Sequence, residues 1–185
     1  MRSGEVRIIG GQWKRTRLPV ANKPGLRPTP DRVRETLFNW LGQEMDGWVC
    51  VDAFAGTGAL GLEAASRGAR AVTLVEQDAG LVAQLRTAQT RLQAAQVQVV
   101  RGDGVAQLRA LPAASVDLVL LDPPFDSEVF APALRAARAA VRPQGWIYLE
   151  APVHWSAAEL ADCGVQEYRY MHAGTVHAHL LQATA

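Results

Sequence analysis

Cysteine is scarce in this chain. Cys50 and Cys163 are the only two in 185 residues, and they share no C-x-x-C spacing. Both lie among apolar neighbours and read as packed free thiols of a reducing cytosol, not as a disulfide framework. Long apolar runs are missing as well. None approaches the ~18 residues needed to cross a bilayer, and the basic first residues lack an apolar segment of signal-peptide type. The expectation is a soluble, cytoplasmic protein with no membrane partner. A metal-ligand set is also wanting: His177 and His179 alternate on a strand without a nearby cysteine or third ligand, and His154 and His172 carry no pattern, so no metal is expected. There is no internal repeat, and no low-complexity segment beyond mild alanine and arginine enrichment. The net charge is only +1, which by itself points to no polyanion.

The distribution of that charge is more informative than its sum. Residues 1–36 hold nine Lys/Arg against three acids, a net of +6, so the remainder carries −5. A basic arm on a mildly acidic body is the asymmetry of a protein that grips a polyanion at one end. The length fits one domain, or one domain with a small appendage, and 49% hydrophobic residues suffice for a normal core.

The arm is expected to begin as a short β-hairpin, with Val6, Ile8 and Ile9 in its first strand, a turn at Gly10-Gly11 and a return over residues 13–20. Prolines and a glycine make residues 21–30 a loop. Thr29 is placed to cap a helix with Pro30 at its first position, and Val33, Leu37, Trp40 and Leu41 form its apolar face. Arg32 and Arg34 project elsewhere, toward ligand or solvent. From Trp48 strands and helices alternate, which means a parallel sheet covered on both faces. Asp78, Ser127 and Ser156 are expected to cap later helices, Pro143-Gln144-Gly145 to break one, and two final strands to form a hairpin around Ala173-Gly174.

Two stretches carry chemistry. The first is Val-Asp-Leu-Val-Leu-Leu-Asp-Pro-Pro-Phe at residues 116–125. It reads as a buried strand ending in a carboxylate, two stiff prolines and an aromatic ring. Ligands of open α/β sheets bind outside the carboxyl ends of the strands. Asp122 and the Pro123 carbonyl suit the two hydrogens of an exocyclic amine, and Phe125 suits the face of its heterocycle. The second is Gly56-Thr57-Gly58-Ala59-Leu60-Gly61 at a strand-to-helix turn, with Glu76 eighteen residues after Gly58. A carboxylate there can grip a ribose diol, and the literal match is to a dinucleotide site. Asp52 argues against pyrophosphate: two like charges 4 Å apart repel by about 4 kcal/mol at an effective dielectric of 20. The same carboxylate favours an ammonium or a sulfonium, so S-adenosylmethionine fits better, with Glu76 on the ribose and Asp103 on the adenine amine.

Taken together, Asp-x-Phe-x-Gly-x-Gly, acids ending strands two and three, and Asp-Pro-Pro-Phe ending strand four resemble the class I S-adenosylmethionine-dependent methyltransferases that modify exocyclic amines of bases. Arg-Ile-Ile-Gly-Gly-Gln-Trp (7–13), Leu-Pro-Val (18–20), Gly-Leu-Arg-Pro-Thr (25–29), Asp-Arg-Val-Arg-Glu-Thr-Leu-Phe-Asn-Trp-Leu (31–41) and Phe-Ala-Gly-Thr-Gly-Ala-Leu-Gly-Leu-Glu-Ala (54–64) are similar to the RsmD family. Those bacterial enzymes methylate N2 of one guanine in 16S ribosomal RNA of the small subunit. The resemblance covers residues 7–126 well; beyond them only the fold pattern continues.

What the resemblance implies is a Rossmann-like α/β fold: a seven-stranded sheet with helices on both faces, the last strand antiparallel, plus a small N-terminal basic β-hairpin. Residues 1–28 would form the RNA-contacting extension and 29–185 the methyltransferase domain. The cofactor would lie among Asp52, Phe54, Ala55, Gly56, Thr57, Gly58, Glu76, Gln77, Asp103 and Gly104. Asp122, Pro123, Pro124 and Phe125 would be catalytic. Arg7, Lys14, Arg15, Arg17, Arg27, Thr29 and Arg32 would meet RNA, while Trp13 would stack on a base or pack on the domain. The partner would be 16S ribosomal RNA, in a small-subunit particle, met by a monomer. Rival readings are a DNA amine methyltransferase, a non-catalytic RNA-binding assembly factor on the same fold and, more distantly, a nicotinamide oxidoreductase.

Overall fold

The computed structural model describes residues 4–21, 23, 26 and 28–184. Among them the elements run β1 (Glu5–Arg7), β2 (Arg17–Pro19), α1 (Asp31–Trp40), β3 (Val49–Asp52), α2 (Ala59–Ser66), β4 (Ala71–Glu76), α3 (Ala79–Arg91), β5 (Val97–Arg101), α4 (Gly104–Ala110), β6 (Val116–Leu121), α5 (Phe130–Ala140), β7 (Val141–Ala151), α6 (Ala157–Asp162), β8 (Val165–Ala173) and β9 (Val176–Ala183). β1 and β2 pair as an antiparallel hairpin, and the other seven strands form one sheet in the order β5-β4-β3-β6-β7-β9-β8. β3 to β7 are parallel, and β9 is antiparallel to both of its neighbours.

Alternation along β6 explains the layers. Leu118 and Leu120 enter a core shared with Val33, Leu37 and Phe38 of α1, Leu62 of α2 and Leu85 of α3. Val119 and Leu121 enter a second core with Leu108 of α4, Leu134 of α5 and Leu160 of α6. A strand covered on both faces has no polar side to offer, hence its unbroken apolar run. The N-terminal hairpin packs into the first core through Val6, Ile8 and Leu18. It is also tied to α2 by the buried Glu63, whose carboxylate accepts from Ile9 N and Gly10 N, both at 2.8 Å.

Four local expectations are corrected. Thr29 does not cap α1: Pro30 is the cap residue and no side chain caps that end, while the Thr29 hydroxyl donates to Glu150 at 2.6 Å. Ser127 does not cap α5, which starts at Phe130 after Val129; its hydroxyl donates to the Pro124 carbonyl at 2.5 Å. Residues 143–145 do not separate α5 from a strand but lie inside β7, where the register against β6 shifts between Val116 and Leu118. Arg34 faces neither ligand nor solvent. It is 1% exposed and donates to Asp31 at 2.6 Å, to Glu63 at 3.3 Å and to the Arg7 carbonyl at 2.9 Å. The caps at Asp78 and Ser156 form, through Leu81 N and Glu159 N.

The sheet order reverses beside β3. β4 lies on one side of it and β6 on the other, which makes the carboxyl ends of β3 and β6 the switch point of an open α/β sheet, the place where such folds bind ligands. Asp52 ends one of these strands, and Asp122 follows the other.

Candidate active site

The glycine turn is built by backbone geometry that other residues resist. Gly58, the cap of α2, has φ +81°, and Gly56 has φ +52°. Glu76 at the end of β4 holds the turn: one carboxylate oxygen accepts from Gly56 N at 3.0 Å and the other from Asp78 N at 2.9 Å. A carboxylate has about four lone-pair sites, so two remain for hydroxyls. The third strand end is brought in by a close approach: a Cβ on Gly104 would stand 2.1 Å from the Ala53 carbonyl oxygen. Asp103, beside it, caps α4 through Ala106 N at 2.7 Å and is otherwise exposed. Gln77 is exposed and Phe54 half-buried. The ends of β3, β4 and β5 thus meet around one turn. Leu26 lies over it, its Cδ1 3.3 Å from where a Gly56 Cβ would be, and Lys23 pairs with Asp78.

Asp52 has an orphan. Its Oδ2 accepts from Gly61 N at 3.0 Å, but Oδ1 is buried with no hydrogen-bond partner among the described residues. Burial pushes its carboxyl up to about 7, against the pull of the Gly61 N–H. A buried acceptor lacking a donor, beside a glycine turn, fits a cationic cofactor and repels a diphosphate. The donor set therefore fits a group such as S-adenosylmethionine: a buried carboxylate that would take a positive charge, a second with lone pairs left for hydroxyls and an exposed third.

The second half of the site is the corner after β6. Asp122 is half-buried, Pro123 buried, Pro124 exposed and Phe125 37% exposed, an uncommon exposure for so large an apolar ring. The Pro124 carbonyl is closed into a turn by Ser127 N at 3.1 Å and by the Ser127 hydroxyl. Asp122 is held well above the ordinary carboxylate range, first by burial and then by the charges of Glu150 and Asp52. Glu150 was not anticipated. It is the next-to-last residue of β7, is 2% exposed, and accepts from the Thr29 and Tyr148 hydroxyls at 2.6 and 2.9 Å. The signal was in the sequence: Trp-Ile-Tyr-Leu-Glu repeats the pattern by which an acid stands at or just after the ends of β3, β4, β5 and β6.

Of the residues expected to meet RNA, Arg7, Lys14, Arg15, Arg17 and Arg32 are exposed. Arg7 and Arg17 pair at the surface with Asp31 and Glu5, at 2.8 and 3.0 Å. Trp13 packs against the first core, Thr29 is buried at Glu150, and Arg27 lies outside the described residues. Away from this site, Glu167 joins His179 at 2.8 Å and His154 at 3.3 Å, so His179, but not His177, gains a carboxylate neighbour.

Comparison with known proteins agrees with this geometry. The family model described as "Conserved hypothetical protein 95" matches residues 6–182. Ribosomal RNA small subunit methyltransferase D of Haemophilus influenzae is 39% identical over 181 residues, covering 90% of this chain and 93% of that protein. The chain belongs to this family. The protein of the same name from Escherichia coli K12 is 50% identical over 123 residues, 66% of this chain and 62% of the relative, so the aligned stretch spans under two thirds of that relative's length. In solved structures the chain is similar to a putative methyltransferase, yhhF, of Escherichia coli, with TM-score 0.83 and 38% identity over 98% of this chain and 99% of that one. It is also similar to the putative methylase HI0767 of Haemophilus influenzae, with TM-score 0.80 and 31% identity over 98% and 100%. The expected family and the seven-stranded methyltransferase-like sheet both stand.

Proposed function

We propose that this protein transfers a methyl group to the exocyclic N2 of a guanine in 16S ribosomal RNA, with S-adenosylmethionine as donor. The observation that carries the reading is the pairing of two half-sites at one switch point: the acid-lined glycine turn and the rigid Asp-Pro-Pro-Phe corner. The names of the relatives, ribosomal RNA small subunit methyltransferases, support the substrate class. When bound, the cofactor supplies a methyl on a positive sulfur.

The chain's own residues do the rest. An aromatic amine is a poor nucleophile because its lone pair is shared with the ring. Asp122 and the Pro123 carbonyl accept its two hydrogens, which favours a tetrahedral nitrogen. Phe125 stacks on the base, an interaction of roughly 1–3 kcal/mol. Positioning of this kind can supply ~7–11 kcal/mol. Asp122, held high by its surroundings, is a competent acceptor for the proton. A paired base is out of reach, so the target is single-stranded or flipped. Residues 1–28 serve as the RNA-contacting extension and 29–185 as the catalytic domain, acting as a monomer in the cytoplasm on 16S ribosomal RNA within a small-subunit particle.

The test is methyl transfer to ribosomal RNA, naked or in small-subunit particles, with mass mapping of the product nucleotide. The expected product is one N2-methylguanine, and Asp122→Ala should lose well over tenfold in rate. Activity of that variant within tenfold of wild type would overturn the role of Asp122. Methylation of DNA in preference to ribosomal RNA would favour the DNA amine reading, and RNA binding without turnover the assembly-factor reading.

A further inference from the structure

Glu150 lies one strand beyond Asp122. β6 and β7 run parallel with Leu120 opposite Tyr148 and Leu121 opposite Leu149, so positions 122 and 150 continue the same register. Alternate residues of a strand share a face; Asp122 therefore lies on the face of Leu120, and Glu150 on that of Tyr148. Across the other edge of β6, Leu120 is opposite Asp52. Three carboxylates thus converge on one face, at the ends of β3, β6 and β7.

A buried acid beside two others is an expensive place for a charge. As a packing position it would be better filled by a neutral side chain. Instead the fold spends two hydroxyls on it, Thr29 and Tyr148. The charged and polar groups facing Glu150 are Asp52 from β3, Asp122 from β6, Tyr148 from its own strand, Thr29 from the segment before α1 and Arg34 from α1. Arg34 has direct partners of its own in Asp31 and in Glu63 of α2. From β9 the residue opposite is Ala178, which bears no charge.

We propose that Glu150 is a positioning residue for methyl transfer: pinned by Thr29 and Tyr148, it presents a negative charge to Asp122 and makes that carboxylate a better acceptor of the amine proton. The inference rests on the proposed role of Asp122. In the reaction the amine nitrogen's lone pair forms the new bond to carbon, the carbon–sulfur pair stays on sulfur as a neutral thioether, and one amine proton passes to Asp122 and then to water. Thr29 sits between the basic hairpin and α1, so the same contact links the RNA-facing extension to the reacting centre.

Glu150→Gln keeps an oxygen for the two hydroxyls and removes the charge. The measurement is the pH dependence of kcat between pH 5 and 9, at saturating S-adenosylmethionine and ribosomal RNA, beside equilibrium binding of both. The negative charge raises the proton affinity of Asp122, so its removal moves the acid limb of the profile to lower pH and reduces the plateau severalfold. Both affinities stay within about twofold of wild type. Thr29→Val removes a hydrogen bond that favours the ionised form of Glu150 against its burial, so it shifts the limb the same way, and Thr29→Ser restores it. These two variants carry the test if Glu150→Gln does not fold. Superimposable profiles, or a change in RNA KM alone, overturn the proposal. A wild-type protein that methylates no ribosomal RNA strikes the reading of Asp122 itself and takes Glu150 with it. An active wild type with an unmoved E150Q profile strikes Glu150 alone.

Discussion

Asp52 shows how one side chain trades stability for a binding property. Its carboxyl sits at about 7 in the folded protein, against about 3.9 for an unperturbed aspartate. The folded state therefore holds a proton that the unfolded chain releases. This contribution favours folding in full below about pH 4 and is lost as pH rises through about 7. The ceiling for such a shift is about 4 kcal/mol. Asp52→Asn keeps an acceptor for Gly61 N and cannot ionise, so its melting temperature relative to wild type should climb between about pH 4 and pH 7 and level off by pH 8. The absolute value matters less, since the amide is left without a partner at the Oδ1 position, a cost of about 1–3 kcal/mol. At pH 8 the same variant should bind S-adenosylmethionine at least tenfold more weakly in calorimetry, because the unpartnered acceptor is gone. Parallel melting curves across pH would show that Asp52 does not carry the charge assigned to it.

At the level of elements, the strands and the two chemical stretches were legible because each is local. β6 announces itself by an apolar run, and the glycine turn by backbone that needs φ > 0 at Gly58. The corner is legible for the same reason, being fixed by two prolines. What escaped the sequence depends on partners far along the chain: Thr29 meets Glu150 across 121 residues, and Glu63 meets Ile9 across 54. The capping expectation at Thr29 failed for this reason, whereas the one at Ser127 failed locally: its hydroxyl closes the turn after Pro124, and α5 starts only at Phe130. The Glu63 knot gives the element-scale prediction. It is 0% exposed and accepts from Ile9 N, Gly10 N, Arg34 and Arg67. Glu63→Ala leaves Arg34 buried with one ionic partner fewer and two backbone donors unmade. Breaking a buried pair in this way costs about 3–5 kcal/mol, on the order of 10 °C in melting temperature for a domain of this size. Limited proteolysis should then cut first within the β1–β2 hairpin. A variant that melts within about 2 °C of wild type would show that the hairpin is held by Val6, Ile8 and Leu18 alone.

Across the whole molecule, the basic residues divide into two tiers. Arg32 lies in the first turn of α1, three residues from the buried Thr29, and Arg7 pairs with Asp31 in the same turn. Lys14 and Arg15 sit in the hairpin turn, which is fastened to Ser66 through Trp13 N and the Gly10 carbonyl. Ser66 is the last residue of α2, and α2 starts at the glycine turn, so this second tier is a helix length away from the cofactor end, about 12 Å at 1.5 Å per residue. On the proposed function, charges so placed would meet phosphates flanking the target base and not the base itself. Phosphate contacts fix register and supply affinity through counterion release, without reading sequence. Lys14→Glu with Arg15→Glu should therefore weaken binding of a long ribosomal RNA fragment and flatten its salt dependence by about 0.7–0.9 per lost contact in the logarithmic slope. The kcat at saturating RNA should stay unchanged, and so should S-adenosylmethionine affinity. An oligonucleotide only a few residues long should not distinguish the variant from wild type, whereas Arg32→Ala should affect both substrates. If the double variant instead lowers kcat on the short substrate, the hairpin acts on the reacting centre through Thr29 and not on distant phosphates, and the two tiers are one.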